Sequence, residues 1–297
     1  LSERKPAEDR VAVGVYPKAG HRPGETFKDC PGCPEMVVIP PGRFRMGDLS
    51  GGGEDNEKPV HAVTIDYKFA VGRFEVTRGE FAAFIKETGY AASAGCWYYT
   101  GSDWEESGSK SWRRPGFSQS DRDPVVCVNW DDAQAYLRWL GRKTGVAYRL
   151  LSEAEWEYTA RAGGTSKYPS GDAENSLCVY GNGADRSTDF HWRNNSCGDG
   201  YGERTAPVGS YRPNAFGVFD TLGNVWEWTQ DCWHGSYHGA TGDGGAWTTA
   251  GDCAKRVLRG GSWFNRPWNL RSAIRGWHST VTRYLYYGFR VARTLDR

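Results

Sequence analysis

Apolar residues recur at two clear periods in the first half of the chain and at neither in the second. Strand-like runs occupy residues 36–40, 43–46 and 61–66, separated by Pro40-Pro41-Gly42 and by a Gly-rich acidic loop from Asp48 to Glu57. Three helices follow. Thr77-Arg78-Gly79-Glu80 is a capping box, in which hydroxyl and carboxylate each satisfy a free backbone N–H of the first turn. Phe81, Phe84 and Ile85 then share one face until Gly89 ends the helix. Trp130, Ala133, Tyr136, Leu137 and Leu140 lie at helical spacing as far as Gly145. Ser152-Glu153-Ala154-Glu155 is a second capping box, opening a helix to about Ala162. From Gly163 onward only loops, short strands and punctuating Gly and Pro are legible. Residues 1–28 are polar and read as an arm with little core; without a repeat or linker, residues 29–297 read as one domain.

The last forty residues are unlike the rest. Arg259-Gly260-Gly261-Ser262-Trp263 and Gly288-Phe289-Arg290 look like framework, with Gly where the backbone bends and Arg and Trp to anchor it. Between them no helical or strand period holds. Seven aromatic residues from Trp263 to Tyr287, with several Arg, have the chemistry of a binding surface, where Tyr, Trp and Arg dominate the energetics.

Composition adds two constraints. Thirty-nine Gly and 14 Trp against two Met predict irregular backbone organised by large rigid side chains, with less regular structure than usual. A net charge of +1 gives no electrostatic footprint for nucleic acid, and no apolar run is long enough to insert in a membrane. The first residues are polar and charged, unlike a signal peptide. The eight Cys permit disulfides, and Cys178/Cys197 and Cys232/Cys253 each bracket a loop-like segment. Cys30-Pro31-Gly32-Cys33 precedes a strand, where a redox motif would sit between strand and helix, and no second CxxC completes a zinc site; a structural role is expected. His234 and His238 are four apart, but Gly235 and Ser236 break the helix that would align them, so a solvated loop pair is expected. Trp226 and Trp228 read as buried anchors with satisfied N–H groups.

Several segments read together. They are Cys30 to Gly42 with Met46-Gly47, Pro59-Val60-His61, Phe74-Glu75-Val76-Thr77, Arg149-Leu150-Leu151-Ser152-Glu153-Ala154-Glu155-Trp156-Glu157, Thr205-Ala206-Pro207-Val208-Gly209 and Leu222-Gly223-Asn224-Val225-Trp226-Glu227-Trp228. With Arg259 to Trp263 and Gly288 to Arg290, this ordered set resembles the formylglycine-generating-enzyme (sulfatase-modifying factor) family over about residues 29–297. The resemblance implies an α+β, C-type-lectin-like fold of low regular content. Enzymes of that family bind copper through a Cys pair and oxidise a substrate Cys to formylglycine. The matching positions here hold Asn265 and Leu270, and no Cys follows Cys253, so neither copper nor formylglycine generation is expected.

The tail also resembles the variable region of variable proteins from diversity-generating retroelements. There, template adenines, chiefly in Asn codons, are copied randomly, and a randomised AAC codon never yields Lys, Glu or Gln. None occurs between Phe264 and Tyr287; Trp268 and Trp277 are reachable from AGG or AAG. The resemblance implies a receptor-type binding protein rather than an enzyme, at a cell surface or virion exterior, recognising a protein or glycan ligand. Its diversified surface would comprise Phe264, Arg266, Pro267, Trp268, Ile274, Gly276, Trp277, His278, Ser279, Val281, Tyr284, Leu285, Tyr286 and Tyr287 on one exposed face. Alternatives are a divergent oxidase or periplasmic tailoring enzyme of the family acting without the Cys pair, a structural surface protein, or an ordinary family member with a drifted tail.

Carrying over the family's ligand positions implies two structural Ca²⁺ sites. One comprises the Asn182 side chain, Gly183 carbonyl, Asp199 side chain and Tyr201 carbonyl; the other comprises Asp220, the carbonyls of Gly223 and Val225, and Glu227. Mixed carboxylate, amide and carbonyl oxygens suit a hard cation. The alternative is that Asp199 and Asp220 merely cap turns.

Overall fold

In the computed structural model, which describes residues 21–295, the three capped segments are helices with the ends their sequences specify. Helix α1 (Arg78–Thr88) starts at Thr77, whose hydroxyl accepts from Glu80 N at 3.1 Å, and stops on left-handed Gly89. Helix α2 (Trp130–Thr144) begins from a further box, Asn129 with Asp132, and stops on Gly145. Helix α3 (Glu153–Arg161) opens from Ser152 and Glu155. Helices α1 and α2 meet through Phe81, Phe84, Tyr136 and Trp139, an edge-and-stack aromatic core.

Among the described residues twelve short strands complete the fold: β1 (Thr26–Phe27), β2 (Met36–Ile39), β3 (Gly42–Met46), β4 (His61–Ile65), β5 (Phe69–Gly72), β6 (Cys96–Tyr99), β7 (Trp104–Ser107), β8 (Trp226–Trp233), β9 (Asp252–Arg259), β10 (Gly276–Ser279), β11 (Tyr287–Phe289) and β12 (Ala292–Thr294). An antiparallel sheet in the order β1-β2-β5-β12 brings the two ends of the described chain together. A second sheet, β10-β9-β8-β11, is antiparallel except where β11 runs parallel to β8. β3–β4 and β6–β7 are separate hairpins. This is the expected α+β, C-type-lectin-like architecture, with long connections between its elements.

Two strands of eight residues, β8 and β9, lie where the sequence showed no period. Trp226 to Thr229 are buried on both faces of β8, so apolar and polar positions do not alternate. The N-terminal arm reading also needs correction. Thr26 and Phe27 pair with Val37 and Met36, and Phe27 packs on the core; residues 1–20 of that arm lie outside the described residues. All eight Cys are joined, as Cys30–Cys33, Cys96–Cys127, Cys178–Cys197 and Cys232–Cys253. Among the described residues no helix is long and apolar enough to cross a membrane.

Buried ion pairs fasten the tail to the framework. Arg259 pairs with Glu157, Arg271 with Glu57, Arg275 with Glu153 and Arg290 with Glu227, and all eight side chains are almost fully buried. Such pairs gain little net stability, because desolvation offsets attraction, but losing one partner strands a buried charge. They fix where the tail can lie.

Candidate functional site

The aromatic tail does not form one exposed face. Pro267, Ile274, Leu285, Tyr286 and Tyr287 are buried, and Phe264, Trp268, Gly276, His278, Ser279 and Tyr284 are half-buried. Only Arg266, Trp277 and Val281 are exposed among the fourteen residues expected there. The rings are needed inside: Tyr287 packs edge-on against Trp228, Phe289 two residues on does the same against Tyr136, and Tyr286 O accepts from Trp226 N. Arg271, Arg275 and Arg283, which contributed to the binding-surface reading, point inward to Glu57, Glu153 and Asp132. Trp277 sits apart, against Trp233 and under the Lys255 ammonium.

The positions of the expected thiol pair have different fates. Leu270 is a core residue packed with Tyr168, Leu177 and Leu222. Asn265 stays half-buried, its Oδ1 accepting from Trp226 Nε1 at 2.8 Å and from Ser262 Oγ at 2.8 Å, while its carbonyl accepts from Ala184 N. Gly261, at φ +75°, lets the Asn269 carbonyl and the Leu270 side chain pack against it, since a Cβ there would collide with both. Trp226 and Trp228 are both satisfied anchors, the latter donating to Val128 O at 3.2 Å.

Around Asn265 stands a wall of half-buried rings from three separate segments. The β6–β7 hairpin supplies Tyr99 and Trp104, a loop supplies Phe190 and Trp192, and the tail supplies Phe264 and Tyr284 with buried Tyr286. Phe264 touches most of them and stacks on Tyr286 at 5.7 Å. Trp192 Nε1 donates to Phe264 O at 2.9 Å and so ties loop to tail. Beside the wall opens a groove of ≈ 660 Å³, bounded by Trp192, Arg193, Arg266, Trp268, Glu54 and Glu174. Sequence reasoning found the tail's share of this site and missed Tyr99, Trp104, Phe190 and Trp192. The aromatic run Trp97-Tyr98-Tyr99 was the available signal.

The residues expected to hold calcium lie in adjoining turns, joined where Asn224 N donates to Asn182 O at 2.7 Å. Gly223, at φ +76°, permits that contact; a side chain there would strike Asn182 O. Asn182 Oδ1 and Asp220 Oδ1 are both buried without a hydrogen-bond partner. Asp199 is otherwise engaged, accepting from Tyr201 N at 2.8 Å and Tyr211 Oη at 2.7 Å, much as a turn cap would. Glu227 forms a bidentate pair with Arg290 and also accepts from Trp156 Nε1. A third buried carboxylate, Glu75, accepts from Asn224 Nδ2 at 2.7 Å and Val225 N at 3.2 Å; sequence reasoning gave it no role. Burial is the largest influence on both Asp220, pushed up to about 6, and Glu75, raised well above the usual carboxylate range. Among the described residues no three or more His, Cys, Asp and Glu side chains form a metal-holding group, so any cation here needs the amide and backbone oxygens too. His234 is not solvated as expected: it stacks on Trp247 and its ring nitrogens face the carbonyls of Cys232 and Thr249.

Known proteins place this site in context. A family model described as the sulfatase-modifying factor enzyme 1-like domain matches residues 23–295. The formylglycine-generating enzyme of Streptomyces coelicolor is 37% identical over 300 residues, covering 88% of this chain and 90% of the relative. The hercynine oxygenase of Mycolicibacterium smegmatis is 30% identical over 289 residues, covering 86% of this chain and 60% of that protein. Among solved structures, PvdO from Pseudomonas aeruginosa superposes with a TM-score of 0.81 at 42% identity, over 93% of this chain and 100% of its own. The variable protein 1 of Treponema denticola superposes with a TM-score of 0.68 at 22% identity, over 90% of this chain and 98% of its own, a likeness of fold alone. The expectation of a non-catalytic receptor is therefore corrected, because relatives similar along nearly the whole chain are enzymes. The chain belongs to the formylglycine-generating-enzyme (sulfatase-modifying factor) family.

Proposed function

We propose that the chain is a divergent oxidase or tailoring enzyme of this family that acts without the thiol pair. The observation that carries the reading is the pairing of an intact family framework with Asn265 and Leu270 at the reactive positions. Leu270 packs in the core, Asn265 is hydrogen-bonded to Trp226 and Ser262, and every Cys is held in a disulfide, so no thiolate is available for copper. The substrate would lie against the aromatic wall and extend into the groove between Trp192 and Trp268. The four disulfides favour an oxidising compartment outside the cytosol, as for a periplasmic or secreted enzyme. The test is a comparison of metabolites between a deletion strain and its parent. A precursor in a lower oxidation state should accumulate, and the purified protein should convert it. An accumulated compound that the protein leaves unchanged would count against the proposal.

Structural calcium is proposed at Asp220, with the carbonyls of Gly223 and Val225 and the Glu227 carboxylate. Asp220, Glu75 and Glu227 are neighbouring buried carboxylates of which only Glu227 pairs with a guanidinium, and the unpartnered Asp220 Oδ1 suits a hard cation completed by backbone oxygens. The ion would supply positive charge that locks this turn beneath the β8 strand bearing Trp226. At the first site Asn182 Oδ1 is buried without a partner, and the Gly183 carbonyl, Asp199 side chain and Tyr201 carbonyl would have to complete the set.

A further inference from the structure

The Asn265 amide has one orientation. The indole N–H of Trp226 can only donate, so the atom facing it is Oδ1, and Ser262 Oγ, which accepts from Phe264 N at 3.4 Å, donates to that same oxygen. Nδ2 keeps two hydrogens and donates to no group among the described residues. An amide whose oxygen is held twice cannot flip, so its nitrogen is a fixed donor, pre-organised as donors of an oxyanion site are. The residue before it, Phe264, faces the ring wall. The residue after it, Arg266, is exposed at the groove rim and pairs with no carboxylate among the described residues. A fixed neutral donor, a free cation and an aromatic wall thus occur on three consecutive residues.

We propose that this site takes an aromatic carboxylate, its ring packed on Phe264 and Trp192 and its anionic oxygens bound by Asn265 Nδ2 and the Arg266 guanidinium. Asn265 is then a substrate-binding donor through Nδ2 as well as a peg for Trp226 through Oδ1. The inference rests on the reading of this face as the active site, and its test is binding rather than turnover, so that the two can fail separately.

Protein labelled with ¹⁵N at Asn is titrated with 4-hydroxybenzoate, and the Asn265 side-chain NH₂ signals are assigned by their loss in Asn265→Asp. The signals should shift saturably, while neutral benzyl alcohol leaves them in place. Asn265→Asp keeps an acceptor for Trp226 and Ser262 but loses the donor and adds repulsion. Affinity for 4-hydroxybenzoate should fall at least about tenfold, as a hydrogen bond to a charged group predicts. Arg266→Ala, which disturbs no buried contact, should weaken binding similarly with the Asn265 signals still present. If Asn265→Asp fails to fold, the unmodified protein and Arg266→Ala decide. Unmoved Asn265 signals, or equal affinity in Asn265→Asp, would overturn the inference. Conversion of the precursor undiminished by Asn265→Asp would overturn it too while leaving the enzyme reading intact; Asn265-dependent binding without turnover would do the reverse.

Discussion

Arg271 and Glu57, 214 residues apart in sequence, meet in a two-point ion pair with Nη1–Oε2 at 2.7 Å and Nη2–Oε1 at 2.6 Å, both side chains sealed from water. The pair binds the irregular tail to the acidic loop that follows β3, and its Arg271 guanidinium also lies over the Trp268 ring. Residue 271 is therefore fixed, and with it the course of the chain from Asn265 to Ile274.

Removing one partner of that pair should be costly. Glu57→Ala leaves the guanidinium buried without its counter-charge, a change that typically costs about 3–5 kcal/mol. Urea denaturation should show a loss of that size, and a Glu57→Leu, Arg271→Met double variant should recover most of it. A loss below about 1 kcal/mol would show that water or another group replaces the carboxylate.

Calcium should stabilise the native state by mass action, since the unfolded chain has no assembled site. Thermal melts in calcium and in excess chelator should differ, and Asp220→Ala should reduce that difference. Superimposable melts of the unmodified protein would remove calcium from the account.

Asp231 gives a pH test away from the site. It is buried, accepting from Glu153 N and Trp247 N, and burial followed by repulsion from Glu153 pushes it up to about 7. A raised carboxyl pKa means the native state holds more protons than the unfolded one between the ordinary carboxylate value and about 7, so this group's contribution falls as pH rises through that window. Asp231→Asn loses an acceptor at every pH but has no such slope. Its stability deficit relative to the unmodified protein should shrink from pH 4 to pH 7 and then level off. A deficit that widened over that range would reverse the sign of the argument.

Formylglycine chemistry offers a negative control. Purified protein given Cu(I), oxygen and a sulfatase-type peptide should leave the peptide Cys unchanged by mass spectrometry, because Asn265 and Leu270 supply no thiolate. Any formylglycine would show that the reactive group lies elsewhere in the chain.

The legible parts of the sequence were those where local chemistry decides the outcome. Thr77 with Glu80, Ser152 with Glu155, and the terminal Gly89 and Gly145 set their helix ends through contacts within a few residues. β8 was illegible because Trp226, Glu227, Trp228 and Thr229 are all buried, the Glu satisfied by Arg290 from sixty-three positions away. The tail misled for a related reason. Aromatic and Arg residues suit both binding surfaces and cores, and only long-range partners such as Glu57, Glu153 and Asp132 show that Arg271, Arg275 and Arg283 face inward. At the site, Asn265 and Leu270 were visible as missing thiols, but the donor role of Asn265 depends on Trp226 across the fold.

The central claim is a family enzyme that works without a reactive thiol. Its most direct test is conversion of the accumulated precursor by purified protein, before and after treatment with iodoacetamide under non-reducing conditions. With all eight Cys in disulfides, brief alkylation has no thiol to modify, and the account predicts turnover at an unchanged rate. Absence of turnover, or turnover abolished by the alkylating agent, would contradict it.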